Sequence, residues 1–160
     1  MSTDRIRIER TYEADIADVW DLWTTADGIE SWWGPDGFSV TVQALDLRPG
    51  GQLRYTMTAT AAPQVAFMRQ HGMPLATESV ITYTEVAPQR RLAYTHLVDF
   101  VPDVGAYDVG TQLDLEPTET GVRLVLLLDR MHDQTWCDRM EAGWDQELGK
   151  LAAVLRARAS

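Results

Sequence analysis

The chain has 160 residues, enough for one domain that buries about 70% of its unfolded surface in a single core. Hydrophobic residues make up 45% and charged residues 24%, a globular mixture that excludes a disordered or fibrous chain. Asp and Glu total 24 against 14 Lys and Arg, and a formal charge of −10 repels phosphate backbones and anionic lipid, so neither nucleic acid nor membrane is expected as a partner.

Residues 5–12, "RIRIERTY", alternate polar and apolar and predict a first strand with Ile6 and Ile8 on one face. A helix is expected next, capped by Asp15, with Ile16, Val19, Trp20 and Trp23 at i, i+3, i+4 and i+7. Asp27 and Glu30 read as a second capping pair, and Ile29, Trp32 and Trp33 repeat the helical spacing before Gly34 and Pro35 stop it. Strands are expected near 38–47, 52–61, 77–87, 91–99, 107–116 and 122–131, separated by turn signals such as "RPGG" at 48–51 and "TETG" at 118–121. One connection is long: residues 62–76 hold two prolines and the apolar cluster Val65, Phe67 and Met68, which predicts a short helical turn. A last helix follows Asp133, with Trp136, Met140, Trp144, Leu148, Leu151 and Leu155 at spacings of three or four. Gly143 and Gly149 are costly inside it, and a close approach to the backbone is the expected reason.

Short connections between successive strands imply an antiparallel meander, because parallel crossovers need a dozen or more residues. The expected fold is α+β: a seven-stranded antiparallel sheet curled around the long C-terminal helix, with two short helices after the first strand. In a meander the start of the strand at Phe38, the 62–76 loop, the 100–106 loop and the junction at His132 share one end of the sheet. An opening between sheet and helix would be gated there. Strand alternation turns Phe38, Val40 and Val42; Leu53, Tyr55 and Met57; Leu92, Tyr94, His96 and Val98; and Tyr107, Val109, Thr111 and Leu113 inward. Such a lining suits a small-molecule pocket and a packed core alike.

Chemistry-bearing motifs are sparse. Cys137 is the lone cysteine and reads as a small packing residue; no metal-ligand spacing, phosphate loop or serine elbow is present, so no cofactor or metal is expected. A chain without disulfides suits a reducing cytoplasm, the longest apolar run, "LVLLL" at 124–128, is too short to span a bilayer, and "MSTDRIRIER" lacks a leader's apolar region. Trp32 and Trp33 read either as a structural plug or as the mouth of a pocket. His96 is either a core histidine or a ligand-orienting base, and His71 and His132 are expected at the gated end. Asp129 with His132 is a candidate proton-transfer pair, while Glu78 and Asp99 read as strand-end charges.

Four separated stretches, "WWGPDGF" at 32–38, "LDLRPGG" at 45–51, "PQRRLAYTH" at 88–96 and "GWDQELGKL" at 143–151, resemble the family of activators of heat-shock-protein-90 ATPase, within the START-like SRPBCC superfamily of helix-grip folds. The resemblance spans essentially the whole chain and implies a cavity between sheet and C-terminal helix. The aromatic lining, the long 62–76 connection and the resemblance together leave three functional classes: a small hydrophobic ligand held in that cavity, a chaperone-cofactor interaction domain, or, ranked third, a polyketide-cyclase-like enzyme working through His96 or the Asp129 and His132 neighbourhood. The expected ligand-facing set is Trp33, Phe38, Tyr55, Met57, Tyr94, His96, Tyr107, Met131, Trp136, Met140 and Trp144, with Phe67, Met68 and His71 as a lid. No residue is assigned a catalytic role.

Overall fold

The structure, a computed structural model, describes residues 5–34, 36–98 and 103–159. In chain order it contains β1 (Ile6–Tyr12), α1 (Ile16–Thr24), α2 (Ala26–Trp32), β2 (Phe38–Leu45), β3 (Gln52–Ala59), α3 (Ala62–Gln70), β4 (Ala76–Ala87), β5 (Arg91–Val98), β6 (Tyr107–Pro117), β7 (Val122–Leu128) and α4 (Gln134–Ala159). All seven strands form one antiparallel sheet in the order β1-β7-β6-β5-β4-β3-β2. The chain thus leaves β1 at one edge, crosses through α1 and α2, and re-enters at the opposite edge. From there each strand pairs with its predecessor.

Period-two alternation decides which face is buried. Along β7, Val122, Leu124, Leu126 and Leu128 are fully buried while the residues between them are half-exposed, and each such burial is worth about 1.5–3 kcal/mol. On β6 the same face carries Val109, Thr111, Leu113 and Leu115. The register shifts between Val42 and Ala44 on β2 and between Tyr83 and Glu85 on β4. Bulges of this kind bend a strand and increase its twist, which lets the sheet curl around α4. The helix meets it with Cys137, Leu148, Leu151 and Leu155, all buried.

The helical details depart from expectation in several places. Asp15 occupies the cap position of α1 but its side chain makes no cap bond, and Leu22 joins Val19 and Trp23 on the buried face. The cap of α2 is Thr25, whose hydroxyl accepts the Gly28 N–H at 3.0 Å, and not the Asp27 and Glu30 pair. Glu30 instead accepts the Val42 N–H of β2 at 2.7 Å. Only Thr25 separates α1 from α2, so the two helices touch closely: a Cβ on Gly28 would lie 2.7 Å from the Leu22 Cα. Residues 62–70 are a nine-residue helix, α3, with Pro63 in its first turn and Met68 as its buried residue. The cap of α4 is as expected, Asp133 accepting the Trp136 N–H at 2.8 Å. A Cβ on Gly143 or Gly149 would meet nothing within 4 Å, so close approach is not their reason. No described helix is long and apolar enough to cross a membrane. Pro35 and Asp99 lie outside the described residues.

Candidate functional site

Between the sheet and α4 the side chains leave a cavity of about 210 Å³, lined by Trp33, Gly34, Tyr55, Met57, Ile81, Tyr94, His96, Thr111, Met140, Trp144 and Glu147. Its walls are built by register. Ile81 of β4 pairs with His96 of β5, and Tyr94 pairs with Thr111 of β6, so inward residues of adjacent strands stand at one level. Met140, Trp144 and Glu147 come from α4 at helical spacings of four and three, which puts them on one face. Trp33 and Gly34 close the remaining side. Gly34 has φ +91°, in the left-handed region, and this turns the chain from α2 into β2 beside the cavity.

The aromatic residues are mutually braced. Trp23 stacks on Trp144 with centroids 5.6 Å apart and meets Trp32 edge-on at 4.8 Å. Trp33 stands edge-on to Trp32 at 6.0 Å and to Tyr55 at 5.4 Å. Trp32 is anchored by its indole N–H, which donates to the Leu22 carbonyl at 2.7 Å. Adjacent in sequence, the two tryptophans divide the work: Trp32 fastens α2 to α1, and Trp33 faces the cavity.

Glu147 is the group that the sequence reading passed over. Its Oε1 accepts the Gly34 N–H at 2.8 Å, while Lys150 Nζ donates to the Gly34 carbonyl at 2.8 Å, so α4 grips both backbone groups of that glycine. Burial pushes the Glu147 carboxyl from its usual 4.5 up to about 7, opposed by the Gly34 N–H and by Lys150. Burial also raises Tyr55 to about 12 and Tyr94 well above 10, so both phenols stay protonated. Burial lowers His96, with Asp108 opposing, which leaves its imidazole neutral at pH 7. The legible signal for Glu147 was a carboxylate three residues after Trp144, inside the apolar stripe of α4. Ile81 and Thr111 were readable from alternation alone.

Seven of the expected ligand-facing residues line this cavity: Trp33, Tyr55, Met57, Tyr94, His96, Met140 and Trp144. Phe38, Tyr107, Met131 and Trp136 do not, and the reason is common to them. Each lies one level nearer the loop end. Phe38 pairs with Ala59, beyond Met57, and Tyr107 pairs with Val98, beyond His96. Met131 follows the end of β7 and donates its N–H to Cys137 Sγ at 3.2 Å. Trp136 is one turn before Met140, with the Arg139 guanidinium 5.0 Å over its ring.

The three lid residues also stand outside the lining. Met68 is buried beneath α3, Phe67 is 54% exposed, and His71 packs against the Phe67 ring at 4.2 Å. Asp129 and His132 do not pair: Asp129 accepts the Gly110 N–H at 2.9 Å and faces Arg5 at 3.3 Å. His132 Nδ1 instead meets the Tyr107 hydroxyl at 2.7 Å. Glu78 is an exposed residue within β4, and Cys137 is buried. A larger depression of about 710 Å³ between α1 and the β6–β7 turn is open to solvent and lined by Glu13, Asp15, Asp18, Glu119 and Arg158 among others, so it lacks the enclosed apolar walls of a ligand site. No cluster of metal-ligating side chains occurs among the described residues.

A curled seven-stranded antiparallel sheet gripping a C-terminal helix, with a cavity between them, defines a helix-grip protein. The model of the family described as "Activator of Hsp90 ATPase homolog 1-like protein" matches residues 13–156, and the chain belongs to that family. Among solved structures it is similar to protein CV1439 of Chromobacterium violaceum, at 25% identity over 96% of this chain and 98% of that one, with a TM-score of 0.77. Protein NE0264 of Nitrosomonas europaea shares 20% identity over 99% of each chain, with a TM-score of 0.76. The AHSA1 protein SPO3351 of Silicibacter pomeroyi shares 22% over 96% of this chain and 99% of that one, at 0.74. No curated protein matches the sequence.

Proposed function

We propose that the protein binds a small, largely hydrophobic molecule in the cavity between the sheet and α4. The observation that carries this reading is the space itself: about 210 Å³ is left open among well-braced aromatic walls. Protein cores are close-packed and rarely keep a void larger than a water molecule. A dry apolar cavity of roughly 150 Å³ already holds a benzene-sized guest, so this one suits a molecule of one or two rings. His96, Thr111, Tyr55 and Tyr94 add the few polar tips by which such sites orient a ligand.

The neutral dye 1-naphthylamine, titrated while following quenching of the six tryptophans, tests the reading. Saturable quenching is expected in the wild type and its loss in Ile81→Phe, a substitution that fills the cavity from β4, with circular dichroism confirming that the variant folds. Absence of saturable quenching in the wild type would count against the reading, as would full binding by the folded Ile81→Phe protein.

The family match supports a second reading, in which the chain acts on a chaperone of the Hsp90 type. Failure to recover Hsp90 in a pull-down with the intact chain would argue against it.

A further inference from the structure

We infer that the cavity selects compact aromatic molecules carrying a hydrogen-bond donor, and that Glu147 is the residue that reads the donor. The inference rests on the ligand-binding reading above and adds a chemical class to it. Three observations converge on it.

First, Glu147 stands on the cavity wall with unused accepting capacity. The Gly34 N–H is the one hydrogen-bond donor to its carboxyl among the described residues. An ionised carboxylate is acceptor-only and has about four lone-pair positions. Leaving most of them unmatched in a desolvated site is costly, and a ligand N–H or O–H recovers that cost. The upward displacement of the carboxyl to about 7 is the same desolvation seen from its proton.

Second, the two phenols on the wall have polar neighbours of their own. Tyr55 has the Ser79 hydroxyl as its polar neighbour and Tyr94 has Thr111, while His96 is neutral. Neither Lys nor Arg lines the cavity, and Lys150, one turn along α4, is directed to the Gly34 carbonyl. A carboxylate or phosphate head group would therefore meet Glu147 with no cation on the cavity wall to pair with it, Lys150 acting on Glu147 only from outside the lining. That disfavours fatty acids and other anionic ligands.

Third, size and shape set the rest. The walls present the rings of Trp33, Tyr55, Tyr94 and Trp144, and about 210 Å³ matches the volume of a flat one- or two-ring body.

Indole and benzofuran are near-isosteres that differ in the donor, and benzofuran-2-carboxylate supplies the anion. Calorimetric titration of all three at pH 8 with wild type and Glu147→Gln tests the inference. The amide of this variant keeps an oxygen for the Gly34 N–H, and a thermal melt establishes that the variant folds.

For the wild type, indole is expected to bind about tenfold or more tighter than benzofuran, in line with a hydrogen bond to a charged acceptor, and the carboxylate weakest of all. In Glu147→Gln the indole preference collapses while benzofuran binding is retained or improved. Equal binding of indole and benzofuran to the wild type, or an undiminished preference in Glu147→Gln, overturns the donor inference and leaves the cavity reading standing. Absence of binding by all three probes overturns both.

Discussion

The indole N–H of Trp32 has the Leu22 carbonyl as its acceptor, whereas the Nε1 atoms of Trp23 and Trp33 are buried without a partner among the described residues. Removing one side of a buried hydrogen bond strands the other, but removing an already unpaired donor strands nothing. Trp32→Phe should therefore cost about 1–3 kcal/mol beyond the loss of ring area, and Trp33→Phe close to the ring-area loss alone. Urea denaturation of the two variants checks this. Equal destabilisation would contradict the division of roles between the adjacent tryptophans. Capping and spacing arguments read the pair either as a structural plug or as the mouth of a pocket. They did not reveal which one is anchored, because that depends on a carbonyl ten residues earlier in another helix. Glu147 was legible as a carboxylate inside the apolar stripe of α4, but its contact was not. Its partner is a backbone N–H, which carries no residue-type signature in the sequence.

At the scale of elements, α4 is held to the segment after α2 by Glu147 and Lys150 gripping Gly34. The groups that face Glu147 across the cavity are Tyr55 from β3 and Tyr94 and His96 from β5, all uncharged at pH 7, and Lys150 stands on its own helix. The folded carboxyl titrates near 7, above its usual 4.5, so between these values the folded chain holds more protons than the unfolded one. Stability from this group is therefore present at low pH, falls as pH rises through the window, and levels off above it. Each unit of displacement corresponds to about 1.4 kcal/mol. His96 works in the opposite sense, losing stability as pH falls below its ordinary 6.5, so the wild-type curve mixes the two. The difference between wild type and Glu147→Gln isolates Glu147. In urea melts from about pH 4.5 to 8 the variant should gain on the wild type as pH rises. A constant difference would show that this carboxyl ionises normally.

Strand existence and pairing were legible because alternation and short turns constrain them twice over. Strand ends were read two or three residues too long on β2, β3 and β7, since turn signals mark loops more sharply than the last ladder bond. The helix in residues 62–70 was only half visible. Phe67 is exposed and Met68 alone is buried from it, which leaves no apolar stripe for periodicity to detect. For the same reason α3 contacts the sheet through β3 at its rim and does not line the cavity.

Across the whole molecule, the sheet order and the inward residues followed from sequence, but the depth of the cavity did not. Reading outward from alternation gives columns of inward side chains without saying which level is left empty. The level is fixed by where α4 lies against the sheet, and this made Phe38, Tyr107 and Trp136 look equivalent to Tyr55, His96 and Met140. The central claim is that the space between the sheet and α4 is a binding site. The most direct test is the ¹⁵N–¹H spectrum of the six indole groups during titration with 1-naphthylamine. Saturable shifts are predicted for the signals of Trp33 and Trp144, which line the cavity, with those of Trp20 and Trp136 unmoved. Shifts confined to Trp20 or Trp136, or no saturable shift at all, would contradict it.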